Sequence, residues 1–159
     1  MSAEADMDAA ALAALVLAAR RSDAPERLAE ALPYLGFLGI TVARHGDGLR
    51  ASMAYSDALI GDSSLPALHG GTIGALLESS ALFEVLWATD AAVLPRTVTL
   101  TIDYLRSGRP CDTHCRATIV RQGRRIVVVS ARAYQDREDE PIATATVHVL
   151  LANDRAAEE

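Results

Sequence analysis

The sequence predicts an α+β fold in which an antiparallel sheet packs against one long helix. Three observations predict it: helical patterns at the N-terminus, one long apolar helix pattern in the middle, and alternating strand patterns over most of the rest. With 159 residues the chain fits one domain, because a domain of about 150 residues buries roughly two-thirds of its unfolded surface. Such a sheet leaves a face or edges uncovered, and pairing between copies of the chain would cover them.

The N-terminal region predicts two helices. An alanine-rich pattern covers roughly residues 5 to 21, and SDAPERLAEAL then predicts a second helix with Ser22 or Asp23 as its N-cap and Pro25 in its first turn. From Gly39 the period changes, and ITVARHGDGLRASMAY predicts a hairpin that turns at His45–Gly48. The segment SDALIGDSSLPAL predicts a loop.

The long helix is predicted from about His69 to Thr89, and four strands follow Pro95. The first of these strands, RTVTLTIDYL, alternates strictly, so that its polar positions are expected on one face: Thr97, Thr99, Thr101 and Asp103. The next two strands are joined at Gln122–Gly123, and PIATATVHVLL forms the fourth. The sequence therefore predicts an antiparallel sheet with its long helix on one face.

Composition excludes several classes of function. The net charge of −6 offers no electrostatic footprint for a nucleic acid. Cys111 and Cys115 lack the second ligand pair that a zinc site needs, so we predict no metal and a cytoplasmic protein with reduced cysteines. The N-terminal apolar run has the wrong flanking charges for a signal peptide and is too short to span a membrane.

Glu78 is the unexpected residue, because it lies in the middle of the apolar helix. At about 100° per residue, Gly71, Gly74, Ala75, Leu82 and Val85 all fall within about 60° of it. Partial removal from water would make this carboxylate available as a base or nucleophile. The glycines of the stripe, Gly71 among them, would let a slender ligand approach. Glu84 falls on another side and is expected to face water. A structural carboxylate is the alternative reading of Glu78.

The start of the helix offers a second chemical group. The glycines after His69 leave backbone N–H groups uncovered at the positive end of the helix, where a carbonyl oxygen gaining negative charge could bind. Gly70 and Glu78 are about 12 Å apart along one helix, too far to act on one carbonyl. Two antiparallel copies could bring Gly70 of one beside Glu78 of the other. We therefore expect a site across a two-fold interface.

Several motifs resemble those of a known family. PALHGGTIGALLESSA carries HGG and an acid nine residues after the histidine, LIGD precedes it, and TIDYLRSGRP, VRQGRR and PIATATVHVLL follow. They resemble the hotdog-fold thioesterases of the phenylacetate-degradation (PaaI-like) type. The likeness covers roughly residues 33 to 151 and leaves out the N-terminal helices. We therefore predict a helical extension over 1–32, a hotdog domain over 33–152 and a polar tail over 153–159.

The resemblance implies hydrolysis of acyl-coenzyme A thioesters, with no metal or other cofactor, by a homodimer that can pair again into a tetramer. By position, Glu78 would be the nucleophile or the base that activates water, Gly70 the oxyanion donor, and His69 the residue that orders the turn. Thr97 resembles the position of a hydroxyl that orients water in some members. His69 could equally serve only as a cap of the helix.

The same resemblance raises one departure and two further candidates. The family often has an asparagine in the loop where this chain has Asp62, and a carboxylate cannot donate to an oxyanion; Ser63 or Ser64 could substitute. Arg124 and Arg125, in the RQGRR segment, could bind the phosphates of coenzyme A or form a solvated turn. Leu82 indicates an apolar acyl end, which aromatic, medium-chain and branched groups would all fit.

Three other functions stay open at the level of sequence. The chain could have kept an acyl-CoA groove without turnover, as a carrier or sensor, and the Asp62 departure is the best support for this. A hotdog dehydratase or hydratase would need a different arrangement of acid and histidine. A purely structural dimerisation module would leave the acid in the apolar helix unexplained.

Overall fold

A computed structural model describes residues 9–89 and 95–151 of the chain. The first residues of the predicted N-terminal helix and the predicted polar tail lie outside these ranges. The helices are α1 (Ala9–Arg21), α2 (Glu26–Glu30), α3 (Pro33–Phe37) and α4 (Gly70–Ala88). The strands are β1 (Ile40–His45), β2 (Gly48–Met53), β3 (Ile60–Asp62), β4 (Leu65–Leu68), β5 (Arg96–Tyr104), β6 (Thr113–Gln122), β7 (Ile126–Tyr134) and β8 (Ala143–Leu150).

Six strands form one antiparallel sheet in the order β1-β2-β6-β7-β8-β5, and α4 packs across it. The α4 side of the sheet carries the alternate apolar residues of the strands, and α4 adds fully buried leucines, Leu76 and Leu77. The predicted α+β class, with one long helix against an antiparallel sheet, is confirmed. In the described sheet β5 is an edge strand.

The N-terminal region differs from the prediction in how its second helix begins. Ser22 does not cap α2: its hydroxyl donates to the Ala18 carbonyl (2.9 Å) and closes the end of α1. Asp23 turns the chain with a φ of 50°, and Pro25 occupies the N-cap position with no side-chain cap. The prediction of a Ser22 or Asp23 cap is therefore wrong, because the tight turn between the helices uses both residues.

The predicted loop over SDALIGDSSLPAL contains a short second sheet. After a single helical turn at Asp57–Leu59, β3 and β4 pair with each other and not with the main sheet. β3 contains a glycine, β4 contains a proline and two serines form the turn between them, and these residues conceal the strand pattern in the sequence. This small hairpin leads directly into α4, since β4 ends at Leu68 and the helix begins at Gly70. The His69 N–H donates to the Leu59 carbonyl (2.8 Å) and fixes this junction to the helical turn before β3.

A β-bulge at Val98 breaks the alternation predicted for β5. Thr97 pairs with Val149, whereas Thr99 pairs with His148, so one extra residue lies between them on β5. Paired residues share a face of the sheet, and Val149 is fully buried on the α4 side. Thr97 therefore points to the α4 side, and Thr99 and Thr101 point away from it. The expectation that all the threonines share one face is wrong for Thr97.

Candidate active site

The start of α4 is fixed by the side chain of His69. His69 is the N-cap residue, and its Nδ1 accepts a hydrogen bond from the Gly71 N–H (2.9 Å). The ring lies directly over Gly61, where a Cβ would be 2.9 Å from His69 Cδ2. Gly61 of the LIGD motif therefore leaves the space that the imidazole needs. His69 caps the helix, one of the two roles considered for it from the sequence.

Gly70 is held from the side by Tyr104 at the end of β5. The Tyr104 hydroxyl donates to the Gly70 carbonyl (2.7 Å), and a Cβ on Gly70 would lie 3.2 Å from the tyrosine ring. The Gly70 N–H belongs to the first turn of the helix and has no acceptor among the residues that the structure describes. This N–H is therefore available to an oxygen of a ligand. The role of Tyr104 could not be predicted from local sequence patterns, because this hydrogen bond joins residues 34 positions apart.

Glu78 lies two turns further along α4 and is half-buried. It lines a cavity of about 410 Å³ between α4 and the N-terminal helices, together with Leu82 of α4 and Leu28 of α2. Within residues 9–89 and 95–151, no hydrogen bond or ion pair holds its carboxylate. The structure therefore gives no support to the reading of Glu78 as a paired structural acid.

Glu84 behaves differently from its prediction. It is half-buried, and its carboxylate accepts the Leu49 N–H at the start of β2 (3.2 Å). Burial raises the pKa of Glu84, against the opposing effects of the Leu49 hydrogen bond and of the charge of Arg116. The expectation that this side chain faces water is wrong, because the β1–β2 hairpin folds over it. Helix position alone could not reveal that contact.

Asp62 is used within its own turn. Its Oδ1 accepts from both the Ser64 N–H (2.8 Å) and the Ser64 hydroxyl (2.7 Å). These hydrogen bonds lower the pKa of Asp62, with the hydroxyl as the larger cause, so the side chain is a carboxylate at neutral pH. Ser63 is exposed. Among these three side chains, the Ser63 hydroxyl is the one that the turn leaves uncommitted as a donor.

Thr97 brings a hydroxyl to the α4 side of the sheet. Its Oγ1 is buried and has no hydrogen-bond partner in the part of the chain that the structure describes. Buried polar atoms nearly always have partners, so an orphaned hydroxyl is typical of a position that binds water or a ligand. The bulge at Val98 produces this orientation, and bulges are common next to active sites.

The remaining residues considered from the sequence are two arginines, which lie away from the start of α4, and two cysteines. Arg124 and Arg125 are exposed in the β6–β7 turn, and the Arg125 carbonyl accepts from the Leu151 N–H (2.8 Å). Cys111 and Cys115 are free thiols, and burial raises the pKa of Cys115 to about 12. Over residues 9–89 and 95–151 we find no cluster of three metal-ligating side chains. Over the same ranges, no helix is both long and apolar enough to cross a membrane.

Comparison with known proteins identifies the family. A family profile described as the acyl-CoA thioesterase N-terminal domain matches residues 62–150. The chain belongs to the acyl-CoA thioesterase family. The match begins at Asp62 and contains β4, α4 and strands β5 to β8, so all of the predicted site residues lie within it. Helices α1 to α3, which form one side of the cavity, precede it. A comparison with curated proteins finds no match.

Solved structures share the architecture of this thioesterase. A Chromobacterium violaceum protein is 34% identical, with a TM-score of 0.71 over 87% of this chain and 96% of its own. A Ralstonia eutropha thioesterase named as related to phenylacetic acid degradation is 24% identical, with a TM-score of 0.69 over 86% of this chain and 98% of its own. A Bacillus halodurans protein solved with CoA is 21% identical, with a TM-score of 0.68 over 91% of this chain and 93% of its own. The predicted hotdog fold is confirmed.

Proposed function

We propose that this protein hydrolyses acyl-CoA thioesters to the free acid and CoA, at a site shared by two copies of the chain. Glu78 carries the proposal. This half-buried carboxylate lies on the wall of an apolar cavity and has no partner among residues 9–89 and 95–151, so it is suited to chemistry and adds no polar contact to the described fold. Membership of the acyl-CoA thioesterase family supports the same substrate class.

The reaction needs a base or nucleophile on one side of the carbonyl carbon and a donor at its oxygen. In the water route, Glu78 takes a proton from water, the water oxygen bonds to the carbonyl carbon, and the carbon–sulfur bond breaks. The proton then passes to the departing CoA sulfur. In the covalent route the carboxylate attacks the carbon itself, the carbon–sulfur bond breaks and CoA leaves as a thiolate. Water then hydrolyses the resulting anhydride to the free acid and the Glu78 carboxylate, and the released proton passes to the CoA sulfur. Both routes put negative charge on the carbonyl oxygen, where the Gly70 N–H would donate.

The distance along α4 requires the two groups to come from different copies. Gly70 lies against Tyr104 and Gly74 lies against Ile102, so α4 runs antiparallel to β5. Gly74 is midway between Gly70 and Glu78. Pairing the exposed β5 edge with its counterpart about a two-fold axis near Ile102 would put Gly70 of one copy beside Glu78 of the other. Such dimers could pair again into a tetramer.

Other residues take supporting roles in this proposal. The orphaned Thr97 hydroxyl orients the attacking water, and His69 positions the turn that presents the Gly70 N–H. The Ser63 hydroxyl, next to Asp62, assists the oxyanion in place of the amide found in many relatives. Arg124 and Arg125 bind phosphates of CoA, and the fold shared with a protein solved with CoA supports this ligand. Coenzyme A is part of the substrate, and the mechanism uses no metal or separate cofactor.

The test compares two matched variants on α4, Glu78→Gln and Glu84→Gln, by thiol release from acetyl-, octanoyl-, palmitoyl- and phenylacetyl-CoA. We expect Glu78→Gln to lower kcat/KM by about a hundredfold or more, as removal of a general base does. Glu84→Gln should stay close to the wild type, because Glu84 serves the fold. Equal activity of the two variants would contradict the proposal. Binding of acyl-CoA without thiol release by the wild type would instead indicate a carrier or sensor.

A further inference from the structure

The cavity beside Glu78 has two walls of different origin. One wall belongs to α4 and contributes Ala75, Glu78 and Leu82. The other wall comes from the N-terminal helices and contributes Leu12 of α1, Leu28 of α2 and Leu32, which precedes α3. This second wall lies outside the region that matches the thioesterase family, residues 62–150.

Glu78 lies at the border between this cavity and the β5 edge. With Glu78 at zero on the helix, Ala75, Leu82 and Leu86, which line the cavity, fall at about 60°, 40° and 80°. Gly74, which contacts Ile102 of β5, falls on the opposite side at about −40°. A thioester carbonyl beside Glu78 would therefore have the cavity on one side and the β5 edge on the other.

The lining of the cavity selects the part of the substrate that enters it. Apart from Glu78, Ser79 and Tyr34, the lining residues have apolar side chains. An acyl tail suits these walls, whereas the charged phosphates of CoA do not. The thioester sulfur and the CoA portion would therefore point toward the β5 edge, and the tail would lie between α4 and the N-terminal helices.

The volume limits the length of that tail. At roughly 30 Å³ for each water-sized group, a cavity of about 410 Å³ holds on the order of 13 such groups. Complete filling is not expected at an open mouth, so an acyl group of about eight to twelve carbons fits best. An acetyl group would leave most of the apolar wall uncovered, and a longer tail would extend outside.

We propose, resting on the thioesterase function above, that the N-terminal helices form the acyl-binding wall and make medium-chain acyl-CoAs the preferred substrates. In this proposal Leu32 is a specificity-determining residue, because it lines the cavity and is only partly buried. A larger side chain at this position would shorten the space for the tail while leaving α4 and its carboxylate in place.

Turnover gives the first test. The kcat/KM values of the wild type, Leu32→Trp and Leu17→Trp are compared on acetyl-, hexanoyl-, octanoyl-, dodecanoyl- and palmitoyl-CoA. Leu17 is the matched control, since it is a leucine of α1 that is 50% exposed. We expect a wild-type optimum at about 8 to 12 carbons. Leu32→Trp should move the optimum to about six carbons or fewer and lower kcat/KM for the 12-carbon substrate at least about tenfold. Leu17→Trp should keep the wild-type profile.

Binding gives a second readout that does not require hydrolysis. Calorimetric titration of CoA and of decanoyl-CoA is made into Glu78→Gln and into Glu78→Gln combined with Leu32→Trp, each checked for folding by circular dichroism. We expect decanoyl-CoA to bind the first variant at least about tenfold more tightly than CoA does, and this gain to disappear in the second. A gain that persists in the second variant, or no gain in the first, would overturn the inference. If the gain disappears in the second variant and the wild type releases no thiol from any substrate of the turnover test, the N-terminal wall is upheld and the thioesterase function is refuted.

Discussion

Helix α4 carries two half-buried glutamates six residues apart, and their surroundings are opposite in kind. Glu84 is held by the Leu49 N–H and lies near the charges of Arg116 and Arg44. Glu78 faces an apolar cavity and has no partner in the described chain. Both acids lie on the same helix, so the difference between their surroundings comes from the elements that pack against each side chain. The β1–β2 hairpin supplies the Leu49 donor and Arg44 to Glu84, and β6 supplies Arg116. The N-terminal helices supply leucines to the cavity beside Glu78.

The two regions also differ in completeness. The polar contacts of Glu84 lie within one chain, so that site is finished when the chain folds. The Gly70 N–H that would serve the Glu78 site lies about 12 Å away on the same helix. In the proposed mechanism a second copy completes the Glu78 site, and the following experiments test this difference between the two glutamates.

The largest effect is expected from separating the copies. With β5 paired about an axis near Ile102, Thr101 of one copy would face Asp103 of the other, so Thr101→Asp places two carboxylates together. We expect sedimentation to show monomers and kcat/KM to fall by about a hundredfold, as with loss of an oxyanion donor. Thr118→Asp, on exposed β6 surface, is the control. A monomer with full activity would mean that one chain completes the Glu78 site.

The next effect is expected from disturbing the turn that presents Gly70. In Gly61→Ala the new Cβ would lie 2.9 Å from the His69 ring, so the imidazole and the turn must shift. Displacement of this order should lower kcat/KM by about tenfold or more, although Glu78 is untouched. Gly36→Ala, which meets nothing within 4 Å, provides a control whose activity should equal that of the wild type. Unchanged kinetics in Gly61→Ala would show that the position of the His69 turn does not affect the reaction.

A smaller effect is expected on stability. Glu84→Ala removes the acceptor of the Leu49 N–H and should lower the free energy of unfolding by about 1 kcal/mol, a typical hydrogen-bond contribution. Glu78→Ala removes no hydrogen bond or ion pair within residues 9–89 and 95–151 and should change it by less than about 0.5 kcal/mol. Urea unfolding measures both. A larger loss of unfolding free energy in Glu78→Ala than in Glu84→Ala would mean that Glu78 stabilises the fold.

The smallest effect is a pH dependence. Because the pKa of Glu84 is raised in the folded chain, the fold binds this proton more tightly than the unfolded chain does. The contribution to stability is full below the unfolded-state value of 4.5 and is lost as the pH rises through the raised pKa. Glu84→Gln keeps an acceptor for Leu49 without the charge, so its Tm should exceed that of the wild type slightly at pH 7 and converge with it near pH 4. Parallel Tm curves would refute this.

Periodicity predicted the elements that are long and regular. The helix from His69, the β1–β2 hairpin and the four strands after Pro95 all follow local apolar patterns, and each of these elements is at least six residues long. Two predictions about short segments were wrong: the Ser22 or Asp23 cap of α2, and the loop that contains the β3–β4 hairpin. The tight turns in these segments use the same polar residues that are typical of caps and loops, so the sequence does not distinguish them.

The candidate site could be predicted only where its residues are close in sequence. HGG and the acid nine residues after it lie on one helix, so their separation could be calculated from helical rise alone. Contacts across the sheet could not be read in this way: the hold of Tyr104 on Gly70, the hydrogen bond of Glu84 to β2 and the leucines of the N-terminal wall. The amphipathic leucines of the N-terminal helices carried a signal for that wall, but not which surface they would cover.

The bulge at Val98 makes the direction of the Thr97 hydroxyl depend on strand pairing. Strict alternation would direct Thr97 to the outer face of the sheet, and one additional residue directs it inward to the side of α4. Deleting Val98 would restore regular pairing and leave Thr97 opposite Val149, still facing α4. Keeping Val98 in a straight ladder would instead place Thr97 opposite Leu150, on the outer face. The direction of this hydroxyl is therefore decided by how the β5–β8 ladder accommodates Val98, so a substitution that straightened the strand could turn the hydroxyl outward while Thr97 itself remained.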